Sequence, residues 1–457
     1  MTSTTNGLSA RLRAAVGARD GEGAVLLWST AYYFLVLCAY YVIRPIRDDI
    51  GAASGAENLA WLFTGTLAGM LLAHPLYTTV VAKVTRRRFV SWAYRFFALN
   101  LVAFYLYFRS ADPAQAIWAG RIFFIWTSVF NLFVVSVFWS LTTDLFRPGQ
   151  GKRLFGFVAV GGTLGAMLGA TITSSLVGVV GGVGLMLVSA VILELAVQAA
   201  LVIDKHEGAM RSAALAEGER ASDATRDTSK EVIGGGILDG IKHTFSSPYL
   251  FGIATLILFY TISSTFLYFQ QADIVAAAFG DNRDERTRVF ANMDLITNGL
   301  TLIAQLFLTG RVMKWLGVGA ALAFLPVLTM LGFGILGIAP VLSVLIVFQV
   351  ARRAGNFAIQ RPGREALFTV LPRTDKYKAK NFTDTFVYRF GDQVGAWSYT
   401  AMAVFGLGAS GLAFTMVPFS ALWVILTVWL GRRYMKLERG ERTASPSPAV
   451  ATPAAGG

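Results

Sequence analysis

Cysteine is almost absent from this 457-residue chain. Cys38 stands alone inside an apolar run, so no internal disulfide can form, and a free thiol there is expected to pack as a small hydrophobe. The three histidines, His74, His206 and His243, share no metal-ligand spacing and have no Cys or Glu cluster beside them. His74, just before Pro75, reads as an ordinary hydrogen-bonded intramembrane histidine. No nucleophile stands beside a base in any recognisable motif, and neither catalysis nor a cofactor is expected. "GGTLGAMLG" at 161–169 lacks the Gly-Lys-Ser/Thr that completes a phosphate loop. Its glycines four apart instead mark a close approach of two membrane helices. Charge is scarce too, at 15% of residues, with 27 acidic against 40 basic side chains.

What fills the sequence is apolar. Hydrophobic residues make up 55% of it and mean hydropathy is +0.56, which places the chain among polytopic membrane proteins with the bilayer as its main environment. Apolar runs near 24–43, 59–82, 89–108, 116–141, 154–177 and 183–203 are each long enough to cross a hydrocarbon core of roughly 30 Å. Six more follow near 249–279, 290–312, 318–338, 341–368, 382–407 and 412–430. The expected fold is therefore all-α, with twelve transmembrane helices in two pseudo-symmetric six-helix halves. The expected organisation is a first half at 1–203, a polar linker at 204–248, a second half at 249–431 and a partly disordered tail at 432–457. Ile237, Ile241 and Phe245, at helical spacing, suggest a short surface helix within the linker.

Basic residues set the orientation. Of the 40 Lys and Arg, 27 fall before the first span, in alternate loops or after the last span, whereas the opposite loops hold six, so both termini are expected in the cytoplasm. The net charge of +13 then reflects topology and no nucleic-acid partner is expected.

Some charges lie inside the spans. "QVARRAGNFAIQRPGREALF" at 349–368 carries Arg352, Arg353, Arg361 and Arg364, and a lipid-facing arginine at the bilayer centre costs roughly 2.5–3.5 kcal/mol even on the lenient insertion scale. Arg353, Asn356, Gln360 and Arg364 follow steps of three, four and four, one stripe of an α-helix, which points to a polar cavity. Pro362 and Gly363 are expected to loosen the helix beside Arg364, with Glu365 and Asp392 holding the guanidinium groups when the site is empty. In the first span "YYVIRPIRDDIG" sets Tyr40, Arg44, Arg47 and Asp48 roughly on one face, with a kink expected at Pro45. Arg121, Asn131, Gln270, Gln271, Asp273, Asp294, Asn298, Gln305, Asp384, Tyr388, Arg389 and Asp392 add polar groups from other spans, Arg389 being placed to bridge Asp392. A cavity richer in arginine than in carboxylate suits a small anion, since planar guanidinium groups pair with phosphate or carboxylate.

These residues carry a resemblance. Six spans, an insert and six spans, with basic loops "KVTRRRF" and "GRVMKW", resemble the major facilitator superfamily. Within it the chain is similar to the ATP/ADP translocases of plastids and intracellular bacteria, in "YYVIRPIRDDIG", in "FNLFVVSVFWS" leading to "GKRLFGFVAVGG", and in "GNFAIQRPGREALFTVLPRTDKYKAKNFTDT". The family has a Lys-Glu pair where Arg364-Glu365 stands here, and its first-helix lysine falls at Arg47. Its two glutamates fall near Thr127 and near Tyr268 or Phe269, so neither carboxylate is kept. The resemblance implies a monomeric secondary transporter of the bacterial inner membrane working by alternating access. Its cargo would be a phosphorylated or otherwise anionic metabolite, a nucleotide among them; a non-nucleotide organic anion or anionic lipid-like compound is the alternative, ahead of an intramembrane enzyme or a receptor. The expected binding residues are Arg44, Arg47, Asp48, Asn131, Arg353, Asn356, Gln360, Arg361, Arg364 and Asp392.

Overall fold

A computed structural model describes residues 22–83, 86–146, 148–216, 244–245, 247–315, 317–371, 380 and 382–444. All regular structure among them is helical: α1 (Glu22–Lys83), α2 (Arg86–Ser110), α3 (Pro113–Leu145), α4 (Pro148–Ala216), α5 (Pro248–Phe279), α6 (Arg283–Phe307), α7 (Thr309–Trp315), α8 (Gly317–Ile338), α9 (Leu342–Gly355), α10 (Arg361–Leu367), α11 (Tyr388–Val404) and α12 (Ala409–Ala444). Two π-helical turns, Asn356–Gln360 and Thr383–Val387, join α9 to α10 and lead into α11. Eight helical stretches among the described residues are long and apolar enough to cross a membrane.

The two longest helices explain how few loops there are. At 62 and 69 residues, α1 and α4 would run roughly 90–100 Å if straight, about three times a hydrocarbon core, so each has to change direction. Each does so at one residue: Gly55 (φ 73°) in α1 and Gly181 (φ 68°) in α4, a backbone region that a Cβ makes costly. Pro45 does not break α1, whose one non-helical residue is Gly55. At the other boundaries, α4 continues to Ala216 and α12 to Ala444, both further than the apolar runs suggested. Ile237 and Ile241 lie outside the described residues, while Phe245 is exposed and meets the Phe251 ring at 5.6 Å.

The glycine run of α4 is a packing device. A Cβ on Gly161 would sit 2.5 Å from Thr30 Cγ2, on Gly165 2.0 Å from the Phe34 carbonyl oxygen, and on Gly169 2.4 Å from the Cys38 carbonyl oxygen. Without side chains the α4 backbone lies directly against α1, where Thr173 Oγ1 donates to the Val42 carbonyl (2.9 Å) and Ser189 Oγ to that of Ala39 (2.9 Å). Gly165→Ala is therefore expected to lower stability by about 1–3 kcal/mol in thermal unfolding, the usual cost of overpacking. Gly156→Ala, with nothing within 4 Å of its Cβ, should not lower the unfolding temperature.

The outer wall also carries an ion pair. Arg95 on α2 pairs with Glu194 on α4 through two bonds, Nε to Oε2 at 3.0 Å and Nη2 to Oε1 at 2.9 Å, and both side chains are more than 40% exposed.

Candidate functional site

Helix α1 presents three acid-base contacts on successive residues. Arg47 Nε donates to Ser128 Oγ (3.1 Å) and its Nη1 to Asp48 Oδ1 (3.2 Å), with the guanidinium 4.0 Å from the Phe124 ring centre. Asp48, buried, also accepts from the Tyr268 hydroxyl of α5 at 2.8 Å. Next to it the buried Asp49 accepts from Arg286 Nε (2.6 Å) and Arg283 Nε (3.4 Å) of α6. Arg44 donates from Nη1 to Asp294 at 2.8 Å while its Nε stays 3.9 Å from Asp48 Oδ2.

Between the early and late helices lies a cavity of about 160 Å³. Arg47, Ser128, Asn131 and Tyr40 line it from α1 and α3, and Arg389, Asp392 and Gln393 line it from α11. Asp392 is bracketed there by Arg389 Nη1 (3.2 Å) and Thr265 Oγ1 (3.4 Å), the internal bridge that the sequence suggested. Three expected site residues, Arg47, Asn131 and Asp392, thus meet on one cavity, with Asp48 immediately behind Arg47.

The arginine stripe is arranged differently. Arg353 Nη1 contacts Asp294 Oδ1 at 2.7 Å, the same oxygen that Arg44 uses, so a fully buried carboxylate ties two arginines from distant parts of the chain. Asn356 donates to the Tyr260 hydroxyl (2.9 Å). Gln360 is 2% exposed, and neither end of its amide has a partner among the described residues. Arg361 is exposed, within electrostatic range of Tyr33. Arg364 stands 3.8 Å from Glu365 and 3.7 Å from Asp384, and Glu365 is bonded by Lys380.

A π turn accounts for this separation. Pro362 has no N–H for the Ala358 carbonyl, and the backbone widens over Asn356–Gln360 to an i→i+5 turn closed by Arg361 N and the Asn356 carbonyl. The freed carbonyls are taken up from outside: Thr309 Oγ1 donates to Ala358 O (2.6 Å) and Gln305 Nε2 to Phe357 O (3.4 Å). One extra residue in the turn rotates everything beyond it by about 100° relative to an α-helix, so Arg364 leaves the line that contains Arg353.

Sequence reasoning took the glutamines and Asp273 of α5 and passed over the hydroxyls that precede them. Thr265 and Tyr268 bond the two carboxylates of the site, and Tyr260, Ser263 and Ser264 surround Arg352. The signal was present as "YTISSTFLY" at 260–268, where six of nine residues carry a hydroxyl.

Contacts between the early and late helices gather at the end marked by Gly55 and Gly280. There Thr64 Oγ1 bonds Gln393 (2.9 Å), Trp397 Nε1 reaches Thr64 (3.2 Å), and Thr400 Oγ1 donates to the Ala56 carbonyl (3.2 Å). Toward the other end Leu164 and Leu168 of α4 and Leu300, Ile303 and Leu306 of α6 are exposed.

Against this geometry, the profile of the family described as TLC ATP/ADP transporter matches residues 102–434. The chain belongs to this family. The match begins after α1, so Arg44, Arg47 and Asp48 lie outside it, while α3, α5, α9 and α11 lie within. No curated protein matches the sequence. Solved structures share the fold of this TLC transporter at low identity. One is the nucleoside transporter NupG (12% identical, 91% of this chain and 99% of that one, TM-score 0.60). Another is an auto-inhibited POT family peptide transporter (12%, 94% and 99%, 0.58). A third is a bacterial homolog of the human lysosomal transporter Spinster, inward-facing and unoccupied (14%, 94% and 100%, 0.51). The protein is a multi-pass membrane transporter with the major-facilitator fold, not an enzyme.

Proposed function

We propose that this TLC transporter moves a phosphorylated or other anionic metabolite, a nucleotide among them, across the bacterial inner membrane by alternating access. The carrying observation is the cavity with Arg47 on one wall and Arg389 on the other, each held by a carboxylate that an incoming anion can displace. Counting α1 and α4 as two crossings each, and adding the more polar α6 and α11, gives twelve crossings in halves at 1–203 and 249–431 joined by the 204–248 segment. Early-to-late contacts gathered toward the Gly55 end, with leucines of α4 and α6 exposed toward the other, support a state open at the opposite face, which the basic residues assign to the cytoplasm. A reporter fused at Asp284 is expected to read as external, and a cytoplasmic signal there overturns the orientation. The transporter is taken to act as a monomer.

A small non-nucleotide anion is the second reading. It is favoured by the modest cavity, below the roughly 300–1,000 Å³ of drug-sized sites, and by Thr127, which bonds its own helix at the Phe123 carbonyl where the resemblance places a glutamate. Uptake of labelled nucleotides, sugar phosphates and dicarboxylates by proteoliposomes tests both: flux of a nucleotide supports the first reading and flux of a smaller anion alone the second. Absence of flux for every anion, in exchange and in net uptake, defeats the proposal.

A further inference from the structure

Arg352 is buried to 3% exposure, and every atom that it bonds is neutral. Its Nε donates to Thr329 Oγ1 (3.1 Å), Nη1 to Ser264 Oγ (3.0 Å), and Nη2 to Ser263 Oγ (2.7 Å) and the Tyr260 carbonyl (3.4 Å). The Tyr260 ring lies 5.4 Å from the guanidinium carbon. No carboxylate comes within ion-pair distance of it among the described residues, whereas Arg44, Arg47, Arg353, Arg364 and Arg389 each have one.

An enclosed guanidinium without a counter-ion is costly, and a neutral glutamine could tether α9 to α5 and α8 through similar bonds. The hydroxyls hold the charge in place without cancelling it. Within the cavity, by contrast, Asp48 offsets Arg47 and Asp392 offsets Arg389. Arg352 is joined to that wall through Tyr260: its hydroxyl accepts from Asn356, and its ring is 6.1 Å from that of Tyr388, the residue preceding Arg389. In such a low-dielectric layer the field of one charge reaches far, and its pull on an anion scales with the charge of that anion. The Asp294 cluster, with two arginines on one carboxylate, leaves a second positive charge uncancelled.

We propose that Arg352 sets the charge selectivity of the site, acting through Tyr260 without touching the substrate, so that doubly charged anions are preferred over singly charged ones of the same shape. This rests on the anion-transport reading above and names the class within it, a phosphate monoester or dicarboxylate dianion.

The test compares a dianion with its singly charged methyl ester, and the variants show how much of the difference Arg352 supplies. The wild-type protein is screened by thermal shift against inorganic phosphate, sugar phosphates, nucleoside monophosphates and dicarboxylates. The strongest binder and its monomethyl ester are then titrated by calorimetry. The wild type is expected to bind the unesterified form about tenfold more tightly, the size of one charge felt across roughly 10 Å at an effective dielectric near 20. Arg352→Gln should bring the two affinities within about twofold of each other, Arg352→Lys should keep the preference, and Ser264→Asp, which sets a carboxylate beside the intact arginine, should remove it as Gln does. An unchanged ratio in Arg352→Gln and Ser264→Asp, or equal loss of both ligands, leaves Arg352 as a structural tether and overturns the proposal. A wild type that binds no anion at all defeats the anion-transport reading itself.

Discussion

Arg47→Ala is expected to weaken anion binding at least about 30-fold, and Arg47→Lys to restore part of it, measured as ligand-dependent stabilisation of the purified protein. Truncating a desolvated charged contact typically costs roughly 2–5 kcal/mol, which sets the scale. The geometry makes Arg47 the arginine with most to lose. It faces the cavity from α1, with one nitrogen on Ser128 and another on Asp48, and Asp48 is also held by Tyr268. When Arg47 turns to a phosphate, Asp48 therefore keeps a donor. Lysine retains the charge but not the planar fork, hence only a partial return. Equal ligand shifts in wild type and Arg47→Ala would remove Arg47 from the site.

The largest effect on folding is expected at Asp294. It is 1% exposed, and its Oδ1 accepts from Arg44 and lies 2.7 Å from Arg353 Nη1, so Asp294→Asn leaves two half-buried guanidinium groups facing a neutral amide. Removing one member of a buried ionic group costs about 3–5 kcal/mol, enough to unfold a marginal protein. Arg353→Gln should behave in the opposite way, because it leaves Arg44 and Asp294 as a balanced pair and removes the surplus cation. Thermal unfolding in a stabilising lipid mixture decides it: an Asp294→Asn protein as stable as Arg353→Gln would mean that this cluster is wet, and its charges screened.

The apolar runs were legible because membrane crossing imposes a length that no neighbouring residue alters. Ten of the twelve lie in eight long apolar helices, α1 and α4 holding two each, and the polar α6 was found only because its run continues between Asp294, Asn298 and Gln305. The first-helix site was legible too, since Tyr40, Arg47 and Asp48 sit on regular α-helix where spacing gives direction. The stripe from Arg353 to Arg364 failed on one residue. Its spacing assumed α geometry, and the π turn before Pro362 is decided by whether outside donors such as Thr309 and Gln305 can satisfy the released carbonyls, a tertiary fact that local sequence does not carry. The pairing of Arg353 with Asp294 was hidden for a similar reason: 59 residues separate two groups, and only the packing of α6 against α9 unites them.

The Arg95–Glu194 clasp has a practical consequence at the bench. Its two bonds join α2 to α4 on the outer wall, where the strength of an ion pair is set by whatever surrounds it. Bathed in acyl chains, the pair is poorly screened and grips hard. In a small, water-penetrated micelle the same charges are hydrated and the clasp slackens, so the amphiphile chosen for extraction determines how firmly α2 stays docked.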